Sequence, residues 1–253
     1  MNASSRGRVV LEICVDTATG LDAAVEGGAD RIELCSALEI GGLTPSAGLM
    51  AIAGALPCSV HAMIRPRSGG FVFDEGDLAT MLRDVDAARA AGLAGVVLGA
   101  SRSDASLDAE MLARLVAHAE GLSVTLHRAF DLVPDPLAAL RTAIDLGFDR
   151  ILTSGGALTA QEGGAVLAEL VEAAGGRIAV LAGSGISAGN VAELLDRTAV
   201  REVHASCRMV RAKADPRAAA FGFQNGSRRE TDAAAVAALR RELDRWQAGD
   251  GRG

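Results

Sequence analysis

Short apolar runs rich in Val, Ile and Leu recur along the chain. They are "VVLEICV" from Val9, "RIELC" from Arg31, "SVHAMIRP" from Ser59, "AGVVLGA" from Ala94, "SVTLHRAF" from Ser123, "RILTS" from Arg150, "RIAVLAG" from Arg177 and "REVHASC" from Arg201. Between them lie segments of helical spacing, such as "DLATMLRDVDAARAAG" and "AQEGGAVLAELVEAAGG". Alternation of this kind reads as βα units around a parallel sheet. Thr44-Pro45 and Asp135-Pro136 read as a helix N-cap followed by proline at the first helical position. Gly92, Gly121 and Gly147 follow helical runs, where a left-handed residue is wanted. A last helix, "DAAAVAALRRELDRW", completes eight units.

Eight units in about 250 residues is the usual size of a (β/α)8 TIM barrel. "GADRIEL" (Gly28 to Leu34) before strand two is echoed by "GFDRILT" (Gly147 to Thr153) before strand six, as a half-barrel repeat would give. The rival, an open doubly wound sheet, needs a Gly-rich fingerprint after strand one, and "VDTATG" is not GxGxxG. No linker or low-complexity tract divides the chain. The expectation is one α/β domain over residues 1–253, with its core from about 9 to 247 and short tails that fray.

The polar residues give the parity of each strand. In a parallel barrel both strand faces are buried, so apolar alternation is blurred. Leu11, Ile13 and Val15 oppose Glu12 and Cys14; Ile32 and Leu34 oppose Glu33 and Cys35. Val60, Ala62 and Ile64 oppose His61, Met63 and Arg65, and Val124 and Leu126 oppose Thr125 and His127. Val203 and Ala205 oppose His204 and Ser206. If the apolar sets face the helices, the interior is too polar for an ordinary core. Charged groups are seldom buried without partners, so these must pair or serve a ligand. Barrel sites form at the C-terminal strand ends, where Cys14, Cys35, Arg65, His127 and Ser206 fall. Arg128 breaks the parity and is expected to pair with Asp131.

Composition narrows the partners. A formal net charge of −7 argues against a nucleic-acid binder working through a global positive field. Tyr is absent and Phe scarce, which disfavours a base-stacking surface. No apolar stretch is long enough to span a bilayer, and no secretory signal is visible. Four cysteines without a CxxC suit a reducing compartment, so a cytoplasmic location is expected.

"LEIC", "GADRIELC", "GGLTPS", "RPRSGGFVF", "LHRAFD", "RILTSGG", "AGSGI" and "EVHAS" occur in this order, and along nearly its whole length the chain resembles the CutC family of copper homeostasis proteins. The resemblance implies a (β/α)8 barrel in the cytoplasm, a Cu(I)-linked role and self-association into a homo-oligomer. The segment from Arg208 to Arg229 departs from the family pattern.

Each candidate has a plain competitor. Cys14 and Cys35 each follow a glutamate by two residues on adjacent strands about 4.8 Å apart, so their sulfurs could share Cu(I), with Met63 and the histidines adding ligands. Cysteine is also a common core residue; the resemblance carries both positions over as metal ligands and brings the two readings level. Cys58 and Cys207 are expected to pack, and His118 to lie on the surface. Glu12 and Glu33 read equally as a catalytic pair or as structural partners of Arg65 and the histidines. "AGSGIS", Ala182 to Ser187, stands where barrels often hold phosphate, with Arg65 and Arg67 at the same mouth. Arg208, Arg211 and Lys213 add a weaker basic run.

Two functions follow. One is a Cu(I)-binding protein with Cys14 and Cys35 as metal ligands. The other is an enzyme acting on a small anionic or phosphorylated substrate at the C-terminal barrel mouth. There His127 would be the acid–base group, Glu33 or Glu12 its partner, and Arg65 an anion clamp. The ligand-binding set would be Arg65, Arg67, Arg128, Asp131, Ser154, Gly183, Gly185, His204 and Ser206.

Overall fold

The computed structural model describes residues 8–213, 215–224 and 226–249. The tails before residue 8 and after residue 249 lie outside them. Eight parallel strands close into a barrel in chain order: β1 (Val10–Val15), β2 (Arg31–Leu34), β3 (Ser59–Met63), β4 (Gly95–Leu98), β5 (Ser123–Leu126), β6 (Arg150–Thr153), β7 (Ala179–Ala182) and β8 (Glu202–Ala205). β8 pairs in parallel with β1 and completes the (β/α)8 TIM barrel. The helices that follow the strands are α1 (Ala18–Glu26), α2 (Ala47–Ala53), α3 (Glu75–Ala90), α4 (Ala109–His118), α5 (Pro136–Asp145), α6 (Gly164–Ala174) and α7 (Val191–Thr198). After β8 comes an inserted antiparallel pair, β9 (Arg208–Ala212) and β10 (Arg228–Thr231), flanking the short helix α8 (Pro216–Ala220). The closing helix α9 (Ala233–Ala248) packs against α1 and α7.

The expected punctuation holds at most positions. Asp135 caps α5 by accepting from the Ala138 N–H at 2.9 Å, with Pro136 in the first turn. Gly92, Gly121 and Gly147 have φ of +74°, +85° and +84°. Thr44-Pro45 is not a cap. Ser46 caps α2 instead, while the Thr44 hydroxyl donates to Asp84 Oδ2 at 2.9 Å and accepts from the Arg65 N–H at 3.0 Å. That hydroxyl is engaged in tying the β2–α2 loop to β3. The last helix runs one residue beyond Gln247 to Ala248 and ends on Gly249 at φ +81°.

The strand faces sort as the parity predicts. Leu11, Ile13, Val15, Ile32, Leu34, Val60, Ala62, Ile64, Val124, Leu126, Val203 and Ala205 share one large apolar cluster with the helices. Cys35, Met63 and Val97 form a separate cluster within the barrel. Register differs from the simplest expectation. Cys14 lies level with Glu33, and Glu12 with Arg31, so Cys35 sits one layer above Cys14. Closing a sheet into a barrel staggers neighbouring strands, and like positions in two sequences need not be level.

Candidate functional site

The lower half of the barrel is an ionic plug. Arg31 Nε bonds Glu12 Oε2, and Arg31 Nη2 lies 2.5 Å from Glu202 Oε2. Arg150 Nε is 3.4 Å from the same Glu202 oxygen, and Arg150 Nη1 donates to Ser123 Oγ at 2.8 Å and Thr125 Oγ1 at 3.1 Å. Burial raises the Glu12 carboxyl, but Arg31 and His204 overcome it and hold the group far below the usual carboxylate range. Arg31, Arg150 and Glu202 are absent from the sequence-based set. Each is the first residue of its strand, where polarity reads as an edge; counting back two positions from Glu33, Leu152 and His204 places them inside.

Above the plug, His204 joins three groups. Its Nδ1 is 2.7 Å from Glu12 Oε1, its Nε2 is 3.8 Å from Glu33 Oε2, and one of its ring nitrogens lies within 4.8 Å of Cys14 Sγ. Burial disfavours its charge, but Cys14 and Glu33 outweigh burial and keep the imidazole protonated well above the ordinary histidine range. Burial pushes Glu33 upward, and its Oε1 has no hydrogen-bond partner. One donor atom each from Cys14, Glu33 and His204 lie within 4.8 Å of one another. Cys35 is outside this group, with its Sγ 3.5 Å from Glu33 Oε2; burial and Glu33 hold it as a thiol. The group of three donors within 4.8 Å therefore joins Cys14 to Glu33 and His204, with Cys35 one layer higher because of the strand stagger.

A cavity of about 180 Å3 opens over this cluster, lined by Cys14, Glu33, Met63, Arg65, Phe71, His127, Arg128, Leu152 and His204 among others. His127 is buried because a glycine, Gly99 just past β4, stands opposite it. A Cβ on Gly99 would stand 2.5 Å from His127 Cε1, and one on Gly95 2.8 Å from His61 Cδ2. Burial, then Arg65, drives the His127 value down to about 3, and burial takes His61 to about 4. Both are therefore neutral at pH 7. His127 Nδ1 accepts from the Ala129 N–H at 3.1 Å, so its single proton is on Nε2, which has no partner. This makes His127 a neutral N–H donor rather than a base at its free nitrogen.

The Arg65 guanidinium is largely engaged. It donates to the carbonyls of Ile40 (2.9 Å), Gly42 (3.0 Å) and Gly69 (2.7 Å) and lies over Phe71, leaving Nε buried without a partner. An unpaired buried donor costs about 1–3 kcal/mol, a cost that a water or a ligand in the cavity would relieve.

The remaining expected residues divide. Arg128 pairs with Asp131 at 2.6 Å and reaches Ser154 Oγ at 2.8 Å. Asp131 also accepts from Thr153 Oγ1 (2.5 Å) and from the N–H groups of Ser154 (2.9 Å) and Gly156 (3.1 Å). Its carboxylate fills the nest that these groups form after β6. The turn after β7 is braced by Asn190, whose Oδ1 accepts from the Ser187 N–H at 2.8 Å and whose Nδ2 donates to Gly185 O at 2.8 Å. Gly183 is packed under Leu152, which a Cβ would meet at 2.7 Å. Arg67 points away to Asp77 at 2.8 Å, and Ser206 is exposed. Arg208 binds Glu39 at 2.9 Å and Arg211 binds Asp232 at 2.7 Å, which ties the basic run down locally. His118 pairs with Asp86 at 2.8 Å on the surface.

Fold and site together define a (β/α)8 barrel protein with a buried thiol–imidazole–carboxylate cluster beneath a small cavity. The chain belongs to the CutC family, whose model matches residues 9–209. It is 59% identical over 237 residues to a CutC protein of Sinorhizobium medicae, covering 94% of this chain and 97% of that one. A CutC protein of Caulobacter vibrioides is 55% identical, with 92% and 96% covered. A crystal structure from Streptococcus agalactiae, provisionally assigned as the copper homeostasis protein CutC, is 32% identical, covers 78% of this chain and 97% of its own, and superposes with a TM-score of 0.74.

Proposed function

We propose that this protein serves copper homeostasis by binding Cu(I) as cargo at Cys14, His204 and Glu33, with Cys35 and Met63 as sulfur groups in the next layer. The observation that carries the reading is the cluster of three donor atoms within 4.8 Å. Thiolate and imidazole suit Cu(I), and the unpartnered Glu33 Oε1 offers charge compensation in a buried place. Glu12 on Nδ1 orients the ring as outer partners of metal-bound histidines do. The same reading has the protein act in the cytoplasm as a homo-oligomer. Free Cys14, Cys35, Cys58 and Cys207 are compatible with a reducing compartment.

Cu(I) competition titration under reducing conditions tests it. Cys14→Ser should weaken binding at least about tenfold, equivalent to about 1.4 kcal/mol, and Cys58→Ser should not. Equal affinities for wild type and Cys14→Ser would remove the copper site from this cluster. A second reading, a pocket for a small organic molecule, is favoured by the unpartnered Arg65 Nε and His127 Nε2.

A further inference from the structure

Arg65 is a buried cation without a counter-ion. It is only 6% exposed. Its guanidinium donates to the carbonyls of Ile40, Gly42 and Gly69, and among the described residues no carboxylate pairs with it. The other cations that line the cavity are matched, Arg128 by Asp131 and His204 by Glu12 and Glu33. Charges are seldom buried without partners, so the space beside Arg65 suits a negative charge.

Contacts round the cavity wall join the groups that could hold that charge. Arg65 Cζ lies 5.1 Å from the centroid of the Phe71 ring, and the His127 ring centroid lies 4.7 Å from the same point. In the other direction Arg65 Nη1 donates to Gly42 O at 3.0 Å, and a Cβ on Gly42 would stand 3.0 Å from Cys35 Sγ. That sulfur is 3.5 Å from Glu33 Oε2. Arg65, His127 and Glu33 line one cavity, and each keeps a buried polar atom without a partner: Nε, Nε2 and Oε1. The Ala129 N–H on Nδ1 fixes the His127 proton on Nε2. Two donors and one acceptor are therefore open to a single small molecule.

Size and charge restrict that molecule. The cavity of about 180 Å3 equals roughly six water volumes of about 30 Å3. Leu152, Met63 and Phe71 make part of its wall apolar. One unmatched guanidinium balances one negative charge, and the second charge of a dianion such as phosphate would stand against Glu33. The free Glu33 oxygen calls for a hydroxyl, which a plain fatty acid lacks.

We propose that the cavity binds a short hydroxycarboxylate of about the size of lactate, with its carboxylate on Arg65 Nε–H and His127 Nε2–H and its hydroxyl on Glu33 Oε1. This rests on the small-molecule reading of the pocket and names its ligand class. The charge-assisted bond from Arg65 is the strongest of the three contacts. Glu33 also belongs to the copper cluster, so the ligand is bound by the metal-free protein.

The test is calorimetry of metal-free full-length protein with four probes: racemic lactate, propionate, lactamide and inorganic phosphate. Propionate lacks the hydroxyl and lactamide lacks the charge. Lactate should bind about ten- to a hundredfold more tightly than lactamide and about tenfold more tightly than propionate. His127→Leu should weaken lactate binding about tenfold, and Leu152→Phe, which fills the cavity, should abolish it. Cys58→Ser should bind like wild type. Lactamide, propionate or phosphate binding wild type as tightly as lactate would overturn the ligand class while leaving a small-molecule pocket in place. Unchanged lactate affinity in His127→Leu and Leu152→Phe would also overturn the proposal. No heat from any probe would remove the proposal and the pocket reading together. Cu(I) affinity should survive His127→Leu, so failure here is distinguishable from failure of the copper reading.

Discussion

At the scale of single residues, Glu12 joins structure to site. It neutralises Arg31 below and orients His204 above while fully buried. Glu12→Gln keeps the shape and removes the charge, leaving Arg31 only partly compensated. Breaking a buried pair in this way costs about 3–5 kcal/mol. Urea unfolding should show a loss of that order; a loss below about 1 kcal/mol would mean that Glu202 alone satisfies Arg31.

His127 gives a pH dependence of definite sign. Its folded-state value of about 3 lies below the ordinary 6.5. Between those values the unfolded chain binds a proton that the folded chain does not. This group therefore makes stability fall as pH drops below 6.5, with the loss complete near 3. At about pH 5 the contribution is about 2 kcal/mol. His127→Leu should flatten the stability profile by about 1.4 kcal/mol per pH unit between about pH 4 and 6. Parallel profiles from urea unfolding across that range would contradict a neutral buried imidazole.

At the scale of elements, the strands carry their information unevenly. The inward parity was legible because a buried strand face bearing Glu, His and Arg is conspicuous against Val and Ile. The stagger between strands was not, because neither strand's sequence records which residue of its neighbour is level with it. Cys14 consequently faces Glu33 rather than Cys35. The glycines of β4 and its edge supply the space that strands β3 and β5 need for their histidines. Gly99→Ala sets a Cβ 2.5 Å from an imidazole already packed 4.7 Å from the Phe71 ring, and should cost about 1–3 kcal/mol. Gly48→Ala, inside α2 with its nearest neighbour at 3.9 Å, should instead stabilise by up to about 1 kcal/mol. Thermal melts of the two variants that agreed in sign would contradict this account of the glycines.

For the whole molecule, the barrel was legible because eight regularly spaced strand–helix units lack the Gly-rich turn after strand one that an open doubly wound sheet needs. The insertion between β8 and α9 was not, because its strands are largely exposed and, among the described residues, pair with each other and not with the barrel. It carries Phe221 and Phe223 into solvent, with ring centroids 6.0 Å apart. The family model ends at residue 209, just inside this insertion, so the cluster lies wholly in the shared part of the fold. The proposed copper site is therefore one that the barrel alone has to supply. X-ray absorption at the copper edge of the Cu(I)-loaded protein tests that most directly. The account predicts a first shell containing sulfur and imidazole nitrogen, with the sulfur contribution reduced in Cys14→Ser; a shell without nitrogen, or one unchanged in Cys14→Ser, would contradict it.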